Sequence, residues 1–179
     1  MCRRPAHRSR PGCPPGRIRG LLPATPRQRP HPRRRDRRGT RDPRSVVSLS
    51  VIDASVLTAF YAADDSRRDV VAARLTAGDA LFAPAHVDAE VVSALRGMAR
   101  RSPALHAVIP AALRHLADFP MRRMPLAPLL QRVWELQDNV TPYDAAYVAL
   151  AERLDGPLIT SDGKLAAASG ARCSFEVIA

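Results

Sequence analysis

The sequence predicts an α/β fold in three layers, α/β/α, around a central parallel sheet. Two observations carry that expectation. Short apolar runs alternate along the chain with longer segments of helical periodicity, the pattern of a parallel sheet covered on both faces. Two of those runs, Val51-Ile52 and Leu158-Ile159-Thr160, are each followed closely by a carboxylate and then by residues able to begin a helix. In such folds, ligand and catalytic groups collect just outside the carboxyl ends of the strands.

The elements follow in order. Residues 48–52 read as the first strand and 54–61 as a short helix, broken by the polar Asp64-Asp65-Ser66. Ser66 is placed to cap a second helix to about Ala77, which Gly78 ends. Residues 80–83 read as a strand closed by Pro84, and a long helix spans about 85–101. Ser102-Pro103 starts another helix toward Asp118, in which Pro110 predicts a kink or break. A strand at 121–124 precedes a helix over 127–137 with Trp134 on its apolar side.

Thr141-Pro142-Tyr143-Asp144 is a strong helix start, with a Thr cap, Pro at the first position and an acid at the third. That helix reaches about Leu154, with Tyr143, Tyr147, Leu150 and Leu154 on one stripe, and Asp155-Gly156 closes it. A strand at 157–160, a short helix from Asp162 to Ala168, and a last strand at 173–178 complete the chain.

Charge divides the 179 residues in two. Residues 1–45 hold 15 Arg against Asp36 and Asp42, a net +13; the rest hold 13 basic and 15 acidic residues, a net −2. The basic character therefore belongs to one end, and the globular part is slightly acidic. The segment 1–46 also holds 9 of the 17 prolines, cannot bury an apolar face, and is expected to be a disordered Arg/Pro-rich extension preceding a domain at 47–179. It reads either as a phosphate-contacting arm, as a tail for a partner, or as sequence upstream of a true start near Val46 or Val47. The three cysteines are odd in number and form no C-x-x-C pair, which argues against a disulfide framework and a structural zinc site. No apolar run approaches the ~20 residues of a membrane span, and no signal peptide is evident, so a cytoplasmic setting is expected.

Four acids stand out: Asp53, Glu90, Asp144 and Asp162. Each has a bland reading. Asp53 and Asp162 follow strands and could be helix caps, and Asp144 could be the third-position acid of a capping box. Glu90 borders the stripe Val87, Val91, Ala94, Met98, with Asp88 on the opposite border, and periodicity does not choose between them. Together they are harder to dismiss, because carboxylates gathered at one sheet edge repel unless a cation neutralises them. Hard ions such as Mg²⁺ or Mn²⁺ suit oxygen ligands and assist phosphodiester cleavage. No phosphate-binding glycine loop or G-x-S-x-G elbow competes, and His86, His106 and His115 read as surface or border residues.

Four stretches in this order, V-I-D-A-S-V-L (51–57), E-V-V-S-A-L-R (90–96), T-P-Y-D-A-A-Y-V-A-L-A-E (141–152) and L-I-T-S-D-G-K-L (158–165), resemble the successive motifs of PIN domains, and those of VapC toxins above all. The resemblance spans about residues 50–178 and lacks none of the family's acids; the Arg/Pro segment is the departure. It implies a PIN-like fold and a toxin of a toxin–antitoxin pair, an endoribonuclease dependent on Mg²⁺ or Mn²⁺. It makes Asp53, Glu90, Asp144 and Asp162 the catalytic, metal-binding acids, with Thr160 and Ser55 in support. It also implies a homodimer and a small VapB-like antitoxin seated in the active-site groove.

The eight aromatic residues, all beyond residue 46, make a stacking platform for single-stranded RNA an unattractive expectation. Recognition of a structured RNA by shape and a few exposed bases fits better. Two other readings stand beside the nuclease. One is a catalytically silent PIN-fold module that binds an antitoxin-like partner or RNA. The other is a nucleic-acid binder acting through the Arg-rich segment, with salt-sensitive affinity.

Overall fold

Parallel strands buried on both faces require near-continuous apolar runs. In the computed structural model, which describes residues 48–102 and 106–179, the strands are β1 (Leu49–Ile52), β2 (Ala80–Pro84), β3 (Met121–Met124), β4 (Leu158–Thr160) and β5 (Phe175–Val177). Three of the five, β1, β2 and β4, are such runs, while the edge strands β3 and β5 carry charged residues. Every pairing is parallel, and the spatial order is β3-β2-β1-β4-β5. Expectations for residues 1–46 lie outside the described residues.

The chain steps outward from β1 to β3, then returns past β1 to lay β4 on its other side. Right-handed crossovers place α1 (Ala54–Tyr61), α2 (Arg68–Leu75), α3 (Val87–Arg101) and α4 (Ile109–Ala117) on one face. By the same rule, α5 (Leu130–Glu135), α6 (Pro142–Leu154) and α7 (Gly163–Ala166) cover the other. Strands β1 and β4 lie at the centre, with Val51, Ile52, Leu158 and Ile159 fully buried.

Helix α6 is buried all round from Ala145 to Ala151, because its alanines let it lie close against β1 and β2. It starts as expected: Thr141 Oγ1 accepts from Asp144 N at 3.2 Å, and Pro142 needs no partner in the first turn. It ends with Asp155 in the left-handed region, φ 52°. Gly156 follows because a Cβ there would collide with the Leu49 side chain and approach its carbonyl. Gly78, at φ 102°, turns the chain between α2 and β2.

Several expectations are corrected. Ser66 does not cap α2; Asp65 instead accepts from the backbone N and the guanidinium of Arg67, at 2.9 and 2.7 Å. Pro84 belongs to β2 rather than closing it, since parallel pairing with Met124 does not need its missing N–H. Of the kink or break expected at Pro110, the structure shows the break: α4 begins only at Ile109, after a 3₁₀ segment and turn over 106–108, and a first-turn proline costs no helical hydrogen bond; the expected start at Pro103 lies outside the described residues. The helix expected over 127–137 opens as a 3₁₀ turn, Ala127–Leu129, around Pro128. That tighter winding shifts the phase, so Leu129 and Leu136 are buried and Trp134 is 69 % exposed. Tyr143 departs from its stripe as well, 62 % exposed in the first turn of α6, while Tyr147 is completely buried.

Candidate active site

The strand order reverses between β1 and β4, and there the loops leaving the two carboxyl ends diverge to open a crevice. Asp53 is the first residue past β1 and only 6 % exposed. Its backbone caps α1, with Val56 N donating to its carbonyl at 3.1 Å, but its side chain makes no capping bond. The carboxylate is committed elsewhere. Oδ2 accepts from Ser55 Oγ at 2.5 Å and from Thr160 Oγ1 at 2.7 Å.

Those hydroxyls are themselves oriented. Ser161 N donates to Ser55 Oγ and Asp162 N donates to Thr160 Oγ1, each at 2.9 Å. With the oxygens engaged from behind, each single hydroxyl proton is directed at Asp53. Burial pushes the Asp53 carboxyl above its ordinary value; the Ser55 and Thr160 hydrogen bonds offset this only in part, and nearby Glu90 adds repulsion. Neither hydrogen-bonding side chain is charged, so nothing in that set neutralises an ionised Asp53.

Glu90, in the first turn of α3, accepts from Tyr147 Oη at 2.6 Å across to α6. His86 Nε2 lies 3.3 Å from the same oxygen, although the ring is not aimed for a hydrogen bond. Burial opposes ionisation of Glu90, but the adjacent His86 and the Tyr147 bond prevail and hold its carboxyl below the ordinary value. Tyr147 moves the other way, its phenol pushed far upward by burial and by Glu90, so it remains a donor. His86 packs edge-on against Tyr143 and Tyr147, with centroids at 5.7 and 5.1 Å.

Asp144 and Asp162 sit further out. Asp144 Oδ2 accepts from Thr141 Oγ1 at 2.7 Å. Asp162 caps α7, its Oδ1 accepting from Lys164 N at 2.8 Å and Leu165 N at 3.4 Å. Both line one groove of about 540 Å³ between the α5–α6 turn and α7.

The four sequence-singled acids thus fall into two pairs: Asp53 with Glu90 inside, Asp144 with Asp162 on the groove. Thr160 joins the pairs, bonding Asp53 through its proton and Asp162 N through its oxygen. Asp88, the rival of Glu90, points away and pairs with Arg123 at 2.7 Å. Two residues escaped sequence reasoning. His86 is not a surface residue but is largely enclosed beside Glu90, and Tyr147 is more than stripe packing. A tyrosine on a buried stripe is a signal, since its hydroxyl needs a partner.

Among the described residues, no three His, Cys, Asp or Glu side chains converge closely enough to cage an ion. A Mg²⁺ site needs no such cage, since it commonly uses one or two carboxylates plus water and phosphate oxygens. The inner pair fits such an ion: two like-charged carboxylate oxygen donors, one buried among uncharged hydrogen-bonding partners.

Comparison with known proteins agrees with this architecture. Residues 50–171 match the PIN domain family model. VapC20 of Mycobacterium tuberculosis, described as a Sarcin-Ricin loop cleaving toxin, has a solved structure that aligns with TM-score 0.50 at 24 % identity, covering 66 % of this chain and 93 % of that one. The chain belongs to the PIN-domain family. Within it, Ribonuclease VapC12 of M. tuberculosis is 42 % identical over 108 residues, 60 % of this chain and 83 % of that protein. Ribonuclease VapC9 of the same species is 36 % identical over 130 residues, 73 % of this chain and 98 % of that protein. Its place in the family is among the VapC toxin ribonucleases.

Proposed function

We propose that this nuclease cleaves RNA in a divalent-metal-dependent reaction, with Asp53 and Glu90 holding a Mg²⁺ or Mn²⁺ ion and Asp144 and Asp162 flanking the phosphate being cut. The observation that supports this most is the uncompensated Asp53 carboxylate at the strand-order reversal. When bound, the ion supplies positive charge to phosphate oxygens and lowers the pKa of water.

The chain's own residues do the positioning. Ser55 and Thr160 fix the Asp53 carboxylate through one oxygen. Tyr147 fixes Glu90 from the opposite face of the sheet. Thr160 also accepts from Asp162 N, which ties the outer loop to the inner carboxylate through one hydroxyl. Ion binding favours the ionised form of Asp53, against the effect of burial.

A VapB-like antitoxin partner, a homodimeric assembly and a cytoplasmic setting complete the reading. They are supported by the likeness to VapC proteins and, for the last, by the absence of any described helix long and apolar enough to cross a membrane. The test is cleavage of bacterial RNA by the purified chain, restored by Mg²⁺ or Mn²⁺ after chelation and abolished by Asp53→Ala with the circular dichroism spectrum unchanged. Undiminished cleavage in chelator, or by a folded Asp53→Ala chain, rejects it. Titration calorimetry that detects neither ion binding to the native chain rejects it as well.

A further inference from the structure

The groove beside Asp144 and Asp162 has a second wall that the cleavage chemistry does not use. It is the α5–α6 turn, where the buried Leu136 anchors a reverse turn whose next three side chains, Gln137, Asp138 and Asn139, are all exposed. Backbone bonds stiffen the turn: Asn139 N and Val140 N both donate to the Leu136 carbonyl, at 3.0 and 3.2 Å. Ser169 Oγ donates to Asn139 Oδ1 at 3.0 Å, tying the turn to the segment after α7 and leaving the Asn139 amide nitrogen as a donor. Across the groove stands Lys164, the chain's single lysine and the one cation among the lining residues. Among the described residues its ammonium pairs with no carboxylate, although Asp138, Asp144 and Asp162 share the groove.

We propose that this groove is a nucleotide subsite, which binds one unpaired nucleotide of the RNA next to the scissile phosphate. Lys164 contacts the backbone phosphate of that nucleotide, and Gln137, Asp138 and Asn139 read the edge of its base. The inference rests on the nuclease reading above and deepens it, naming the part of the site that selects where RNA is cut.

The chemistry of the wall matches the task. An unpaired base exposes donors and acceptors on its Watson–Crick edge. A carboxylate flanked by two amides offers both kinds of partner, and Asp accepts well from an exocyclic amino group. A groove of about 540 Å³ has room for a nucleotide. The scarcity of aromatic residues fits as well, because recognition here runs through hydrogen bonds rather than stacking. An acidic groove with one lysine disfavours general RNA affinity, so binding depends on the base contacts.

The probe is a fluorescein-labelled single-stranded RNA of mixed sequence, bound by the full chain carrying Asp53→Asn so that the RNA stays intact. Adding Lys164→Ala is expected to weaken binding about fivefold, the range of an exposed charge pair, and to lower the slope of log affinity against log salt by about 0.7. Lys164→Arg retains both. In chains with Asp53 intact, sequencing the ends cut from total bacterial RNA shows the base preference at one position beside the cut altered by joint Gln137→Ala, Asp138→Ala and Asn139→Ala replacement. Unchanged affinity and salt slope in Lys164→Ala, or an unaltered base profile in the triple variant, overturns the subsite. Binding that responds to Lys164 in a chain that cuts no RNA supports the groove and counts against the nuclease reading, so the two fail separately.

Discussion

The two edges of the sheet treat their most enclosed carboxylates in opposite ways. At the amino-terminal edge, every acid of the two main clusters meets an arginine. Arg74 joins Asp79 and Glu176 at 2.8 and 2.6 Å and also donates to Ser50, while Ser48 and Ser50 both donate to Asp79. Arg132 grips Glu152 through two nitrogens, at 2.7 and 3.0 Å, and donates to the Gly170 carbonyl at 2.6 Å. At the carboxyl-terminal edge, the most deeply placed acid, Asp53, has hydroxyl partners and a like-charged neighbour. The first edge is built for stability. The second keeps a charge that the fold alone does not neutralise, and active sites commonly concentrate such perturbed groups.

Breaking the carboxyl-terminal edge has the largest expected effect. Asp53→Ala is expected to lower RNA cleavage by on the order of a thousandfold or more, because the proposed ion loses its innermost ligand. Removing the metal with EDTA has an effect of the same order, reversed by Mg²⁺. A third measurement links the two: Mg²⁺ raises the melting temperature of the native chain and leaves that of Asp53→Asn unmoved. Equal shifts in both proteins would place the ion elsewhere.

The contrast between edges was only partly legible in the sequence. Strand runs and helix starts gave the fold, because burial on both faces and capping chemistry leave local signatures, as in Thr141-Pro142-Tyr143-Asp144. The four acids were legible as a set through the resemblance to PIN domains: Asp53, Asp144 and Asp162 lie beside a strand end or helix start, whereas Glu90 lies within a long helix. Their division into pairs was not. That depends on the Asp53 side chain turning from its cap toward Thr160, a residue 107 positions away. Glu90 and Asp88 were indistinguishable by periodicity, since each borders the stripe. Tyr147 decides for Glu90 and Arg123 claims Asp88, and both partners lie on distant elements. Exposure of Trp134 followed from a single 3₁₀ turn, a change of winding that apolar spacing does not record.

Weaker perturbations sharpen the contrast. Thr160→Val keeps the shape but removes the hydroxyl that bonds Asp53 and Asp162 N, and is expected to lower cleavage about 10–100-fold. If activity is unchanged, Thr160 is packing only. Arg132→Ala breaks the other edge by leaving Glu152, largely enclosed, without its guanidinium. The expected loss is about 1–3 kcal/mol of unfolding free energy in urea, with cleavage per folded molecule unaltered. A fall in kcat at full folding would show that the edges are coupled.

The smallest effect is the most discriminating, because Asp53 titrates with the opposite sign to the enclosed acids of the amino-terminal edge. Asp79 is held below its ordinary value by Ser48, with Ser50 and Arg74 adding to it against burial. Burial opposes ionisation of Glu152, but the Arg132 hydrogen bond prevails and its carboxyl is also low. Their contribution to stability is present above the ordinary carboxyl range and is lost as pH falls through their lowered values. Asp53 is raised, so the folded chain holds its proton more tightly than the unfolded chain does. Its contribution is present below the ordinary carboxyl value and is lost as pH rises through the raised one. In metal-free solution, Asp53→Asn is therefore expected to match the native chain in stability at acid pH and exceed it at neutral pH, by a few degrees in melting temperature. Arg132→Ala should show the reverse trend, its deficit widening from acid to neutral pH. A pH-independent difference between native and Asp53→Asn chains would mean that Asp53 is already neutralised within the fold, and the contrast between the two edges would disappear.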